Sequence, residues 1–270
     1  MSTNDLIDIH PRAFVHPAAR LGAGCRVGPF AVIDADVVLG DGCEVGPGVH
    51  LTGSLEAGPR NRFHAGAVVG DAPQDLKYDG SPTRVRVGAG NVFREHVTVH
   101  RGAGQGGETV IGDGNLFMAG SHVGHDCVVG NQAVLANGAL LAGFVQVGDR
   151  AFISGNCLVH QFCRVGRLAM MQGGSAISKD LPPFCIARGA NRIGGMNTVG
   201  LTRAGFSVAQ RRVLRRAYHR LFRQGGLQRE ILAVVRTEFA GEPLVEEWIR
   251  FVESAHRGVC RGTPDASSAD

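Results

Sequence analysis

Every sixth residue from position 9 to position 177 is apolar with few exceptions, and this period constrains the fold more than any other feature. The series runs Ile9, Val15, Leu21, Val27 and Ile33 and continues to Val165, Met171 and Ile177, broken at Asp75, Ser81 and Gln105. A helix repeats near every 3.6 residues and a half-buried strand every second residue, so neither has this period. Repeating hexapeptides predict a parallel β-helix solenoid, in which each unit supplies a short strand and a turn and the apolar side chain points inward. Three units make a triangular coil of about 18 residues, so residues 18 apart stack at about 4.8 Å, and the run gives roughly nine coils. The 40 glycines are about twice the usual share. They repeatedly follow the inward residue, as in Val27-Gly28, Leu39-Gly40 and Val129-Gly130, which suits tight turns rather than disorder.

Two stretches, 71–83 and 101–108, break the pattern and read as loops. Both gaps are whole multiples of six, so the phase survives across them. Long loops leaving a rigid scaffold usually carry function. The repeat stops around Leu181-Pro182-Pro183. The predicted organisation is therefore a mainly β solenoid domain over 1–187, a glycine-rich connection over 188–206, a small α-helical domain over 207–261 and a disordered tail over 262–270. Within the helical part, Ser207 is a predicted N-cap. It opens a helix over 208–224 that Gly225-Gly226 would end, and two further helices are expected over 227–239 and 243–256.

The formal charge of +4 and pI near 8.8 suit an anionic substrate or an acidic partner and fall short of a nucleic-acid signature. Seven cysteines without a C-x-x-C pair predict reduced, buried thiols in a cytoplasmic protein. No apolar run approaches the ~18 residues of a membrane span, and the first nine residues contain two aspartates and no signal-like apolar stretch.

The chemistry concentrates in Ser121-His122-Val123-Gly124-His125-Asp126-Cys127, where neighbouring repeats carry small or neutral residues. Stacking by 18 places His125, Gly143 and Gln161 in one column and Asp126, Phe144 and Phe162 in the next. His160 adjoins Gln161, and His100 follows an inward Val99 as His160 follows Val159. A solvent-facing groove is expected, with His125 as base, Asp126 beside it, an exposed Gly143 backbone and the polar Gln161. Histidine titrates near working pH, a neighbouring carboxylate fixes its tautomer, and a glycine N–H can hold an oxyanion. Two other readings of His122 and His125 stand beside this one: a zinc site completed by His100 or His160 of a neighbouring chain, and histidines that only bond loop carbonyls. The arginines at 211, 212, 215 and 216 read as a solvated helix face or as a docking patch for an acidic carrier.

With these residues in view the chain resembles the acyl-carrier-protein-dependent UDP-N-acetylglucosamine O-acyltransferases, the family that opens lipid A synthesis. The resemblance rests on Gly70-Asp71-Ala72-Pro73-Gln74-Asp75-Leu76-Lys77-Tyr78, Phe93-Arg94-Glu95, His100-Arg101-Gly102, the stretch from His122 to Asp126, His160-Gln161-Phe162, and Gly200-Leu201 with Gly205-Phe206-Ser207. It implies a left-handed β-helix homotrimer with active sites between subunits, acyl-carrier protein and UDP-N-acetylglucosamine as partners, and no metal or tightly bound cofactor. It further implies that His125 deprotonates the glucosamine 3-hydroxyl, that Asp126 supports His125, and that the Gly143 N–H holds the oxyanion. Gln74, Asp75, Lys77, His100, His122, His160, Gln161, Asn197 and Arg203 match substrate-binding positions. Gly155, Met170 and Gly173 match positions along the acyl chain, where a glycine at 173 leaves room for a long one.

The sequence departs from the family pattern at Phe144, usually histidine, at Val199, usually glutamate, and at Ala204, usually basic. A lost charge-assisted contact typically costs about 1.5–3 kcal/mol. These departures open a second expectation, the same chemistry on a different nucleotide sugar such as a 3-amino sugar, giving an amide.

Overall fold

The structure is a computed structural model that describes residues 6–224 and 228–262. The chain winds as a left-handed parallel β-helix and ends in a group of short helices. That hand is opposite to the usual right-handed β-crossover. Among the described residues three faces, A, B and C, hold 12, 9 and 8 strands, and nearly every neighbour in a face is parallel. Most strands are only two residues long, one side chain outward and one inward, as in Arg26–Val27 and Leu140–Leu141. Isolated pairs this short would not hold in water; each is held because the coils above and below continue its ladder.

The register follows the six-residue phase. Val123 pairs with Leu141 and Leu141 with Val159. Across the first loop Arg62 pairs with Val92, and across the second Val92 pairs with Leu116, so both loops leave and re-enter the same three-sided cross-section. Two inward ladders lock these wider joints. Phe63, Phe93 and Phe117 stack with centroids 4.9 Å apart at each step. Asn61, Asn91 and Asn115, all buried, pass amide hydrogen bonds from coil to coil at 3.0 and 2.9 Å. A buried amide without a partner costs free energy, so the ladder satisfies each side chain only in this register.

Most corners turn through a residue with positive φ. Several are glycines, but Arg60, His96, Asp126, Gln132, Phe144, Arg150, Asn156 and Phe162 also adopt the left-handed conformation. All seven cysteines are buried and free.

The C-terminal region differs from the sequence expectation in several places. The stretch 188–206 is not a plain connection. Arg192–Met196 pairs antiparallel with Cys185–Ala187, and a short helix α1 covers Thr198–Arg203. The glycines there hide a strand because its pairing is tertiary, not periodic. Helix α2 runs Val208–Tyr218 from a Ser207–Gln210 capping box and continues as a π-helical turn, His219–Arg223. Helices α3 and α4 cover Gln228–Glu238 and Pro243–Glu253, so the last helix is shorter than expected. Gly262, placed in the tail by the sequence, pairs with Ile193. The Gly225-Gly226 stop, Leu227 and the tail beyond Gly262 lie outside the described residues.

The helices are clamped to the last coils. Trp248 is fully buried and donates to the Pro183 carbonyl at 2.6 Å. Arg167 forms a two-pronged pair with Glu247 at 2.7 Å, and Arg164 joins Asp180 to the Phe251 carbonyl. Among the described residues no helix is long and apolar enough to cross a membrane.

Candidate active site

Face B carries the site. Its outward column runs Thr98, His122, Leu140, Leu158 and Ala176, one residue per coil. A cleft of about 610 Å³ lies over this column and the corner that follows it, and reaches Gln74 at one end and Asn191 at the other. Gln74, His100, His122, His125, Gly143 and His160 line it. The outward leucines give it an apolar rail leading away from the histidines.

His125 sits at the corner, with its side chain 14% exposed. Its Nδ1 lies 2.9 Å from Asp126 Oδ2. A carboxylate can only accept, so the neutral imidazole carries its proton on Nδ1 and leaves the Nε2 lone pair free. Nε2 stands 4.0 Å from Asp75 Oδ2, which the first loop brings over the cleft. Asp126 is itself held. Oδ2 also accepts from the Ala103 N–H at 2.9 Å, and the Asp126 N–H donates to the buried Thr109 hydroxyl at 2.8 Å. The second loop thus closes over the carboxylate that orients His125. Gly107 is fitted to that closure, since a Cβ there would fall 2.6 Å from Asp126 Oδ1.

Gly143 sits under the imidazole. An ideal Cβ would lie 2.5 Å from His125 Cε1 and closer still to Nε2, so any larger residue would displace the ring. The sequence reading had this backbone exposed; it is buried because the His125 ring covers it. Among the described residues no hydrogen bond uses the Gly143 N–H, which leaves a donor beside His125 without an acceptor in the chain.

His122 and His100 are different in kind. His122 Nδ1 bonds Thr98 Oγ1 at 2.7 Å, and its ring meets His100 edge-on at 4.8 Å. Burial lowers the His122 pKa to about 4, helped by the neighbouring histidines, and burial lowers that of His100 too. Both are neutral near pH 7 and can donate or accept a hydrogen bond without adding charge.

Other expected site residues stand apart from this group. His160 lines the cleft, but Gln161 is exposed on the turn and does not. Lys77 is exposed; its N–H donates to Asp75 Oδ1 at 2.9 Å, which shapes the loop tip. Gly155 and Gly173 stack at the corner between faces A and B, and Met170 points outward from face A. Asn197 is buried, capping α1 through the Gly200 N–H and donating to the Leu168 carbonyl, so its amide is taken up within the chain. Arg203, in the last turn of α1, is exposed. The sequence reading missed Thr98, Thr109 and the Leu140–Leu158 rail. The rail was available from the 18-residue spacing of His122, whereas Thr98 is 24 residues from its partner and is found only once the loop length is known.

The three-sided solenoid of hexapeptide coils, with His100, His122, His125 and His160 gathered in one cleft, places the chain among the hexapeptide-repeat transferases. The model of the bacterial transferase hexapeptide repeat matches residues 18–53 and 108–143, and that of UDP-N-acetylglucosamine O-acyltransferase domain 2 matches residues 180–260. The acyl-carrier-protein–UDP-N-acetylglucosamine O-acyltransferase of Trichlorobacter lovleyi is 48% identical over 95% of this chain and 100% of its own length. That of Myxococcus xanthus is 44% identical over 95% and 100%. The crystal structure of the UDP-N-acetylglucosamine acyltransferase from Bacteroides fragilis superposes with a TM-score of 0.90 at 37% identity, covering 94% of this chain and 100% of that one. The chain belongs to the acyl-carrier-protein–UDP-N-acetylglucosamine O-acyltransferase family.

Proposed function

We propose that His125 is the general base of an acyl transfer carried out in this cleft. The chain is an acyltransferase of lipid A synthesis and moves a 3-hydroxyacyl group from acyl-carrier protein to the glucosamine 3-hydroxyl of UDP-N-acetylglucosamine. His125 Nε2 takes the hydroxyl proton as the oxygen attacks the thioester carbonyl carbon. The oxyanion that forms accepts from the Gly143 N–H. Collapse breaks the C–S bond, and the imidazolium returns its proton to the departing carrier thiolate. Asp126 steadies the imidazolium throughout. The observation that carries this reading is the free Nε2 of a histidine whose Nδ1 is held at 2.9 Å by Asp126.

In this reading Gln74, Asp75, Lys77, His100, His122, His160 and Gln161 bind the sugar nucleotide, and Gly155, Met170 and Gly173 follow the acyl chain. The active form is a homotrimer with its sites between subunits. Support comes from the outward residues of face A, where Val92, Leu116, Val134, Phe152, Met170 and Ile186 form an apolar row. A second copy laid along face B would cover the leucine rail with that row and bring Met170 near the cleft. Arg203 does not line this chain's own cleft and would belong to a neighbour's, whereas Asn197, its amide taken up by Gly200 and Leu168, holds α1 in place. The reaction is placed in the cytoplasm, which suits seven free, buried thiols.

The test is acyl transfer by purified protein from 3-hydroxyacyl-acyl-carrier protein to UDP-N-acetylglucosamine, read by mass spectrometry. An alkali-labile ester on the sugar is expected. Folded trimer that forms no ester overturns the reading.

A further inference from the structure

One aromatic side chain stands against His125, with a second stacked behind it, and the reaction above uses neither. Phe144 follows Gly143 at the corner, and Phe162 occupies the same corner one coil further on; both have positive φ, 61° and 65°. Their rings stack at 4.8 Å and 16°, and Phe144 meets the His125 ring at 5.2 Å and 87°. Holding a bulky residue at positive φ carries strain. The solenoid does not demand a ring there, because the same corner one coil earlier holds Asp126 at positive φ, and other corners of the solenoid hold Arg60, Gln132 and Asn156. Nor is burial the reason, since Phe144 is 39% and Phe162 51% exposed.

What His125 lacks without them is a second wall. The single hydrogen bond from Nδ1 to Asp126 lets an imidazole pivot about the N–O line, and the Gly143 backbone blocks only one direction of that pivot. Asp75, at 4.0 Å from Nε2, is too far to fix it. We infer that Phe144, braced by Phe162, is a positioning residue that stops this pivot and keeps Nε2 of His125 turned into the cleft. Edge-to-face contact between aromatic rings is directional, so it restrains tilt as well as distance. The kinetic part of this inference rests on His125 being the base; the geometric part does not.

The experiment uses the full chain with labelled histidine and reads ¹⁵N shifts and steady-state kinetics together. In the parent protein neutral His125 is expected to show its proton on Nδ1 alone. Phe144→Ala should give mixed tautomers and lower kcat roughly tenfold or more, with KM for either substrate within about twofold. Phe144→Tyr should recover most of the lost kcat, and Phe162→Ala should give a smaller loss in the same direction. An unchanged tautomer and kcat in Phe144→Ala overturns the inference. So does a raised KM with unchanged kcat and tautomer, which would make Phe144 a substrate contact. A parent protein without transfer activity sinks the proposed function instead, and the ¹⁵N signature alone then decides the role of Phe144.

Discussion

The coils before the first loop and those after the second share one interior and differ in what they turn outward. On face A the early coils pair Asp8 with Arg26, Arg26 with Glu44 and Glu44 with Arg62, a row of alternating charge. The later coils continue the same row with Leu116, Val134, Phe152 and Met170. On face B the early row holds Phe14, Val32 and His50, and the later one His122, Leu140 and Leu158. The inward residues cannot tell the two regions apart; Val27 and Val129 are both buried in the same phase. The scaffold is thus specified by a period that carries no chemistry, and the chemistry is written in the outward columns and corners, which the scaffold leaves unconstrained.

The sharpest way to break this comparison is to alter a later corner and leave the interior alone. Asp126→Ala removes both the acceptor for His125 Nδ1 and the anchor for Ala103, and transfer should fall by about a hundredfold to a thousandfold. Gly143→Ala should cost about a hundredfold in kcat with little change in melting temperature, because the new methyl displaces the imidazole and no core residue. A substitution inside the solenoid should do the reverse. Phe93→Ala empties the centre of the phenylalanine stack and should lower stability by about 3–5 kcal/mol in urea titration, with unchanged turnover per folded molecule.

Smaller effects sharpen the comparison further. His122 is held neutral by burial, its pKa lowered from 6.5 to about 4. Between those values the unfolded chain binds the proton and the folded one does not, so stability should fall as pH drops from 6.5 toward 4. His122→Gln should flatten that slope in urea titrations across pH. At the weak end, Arg26→Ala breaks a pair whose side chains are 64% and 46% exposed. It should change stability by about 0.5 kcal/mol or less and leave transfer untouched.

These differences also explain what the sequence could and could not disclose. The period of six was legible without help, and with it the stack of His125 on Gly143, because both depend only on counting by 18. The place of His100 was harder. The sequence offered only its position after an inward valine, whereas the loops shift its neighbours and bring its ring against His122. The roles of Thr98, Thr109 and Ala103 were hidden for the same reason. Between 188 and 206 there is no period to count, so the strand Arg192–Met196 and the capping duty of Asn197 follow from tertiary pairing alone. The burial of Gly143 beneath an imidazole depends on a side-chain rotamer, which no spacing encodes.

The central claim is that His125, at a corner of the later coils, supplies the base. The most direct test replaces it: His125→Ala in the purified protein, with folding checked by circular dichroism and melting temperature, and transfer from 3-hydroxyacyl-acyl-carrier protein to UDP-N-acetylglucosamine measured beside the parent. The account predicts an unchanged fold and a loss of kcat of about a thousandfold or more. A folded variant that retains transfer within tenfold of the parent would contradict it.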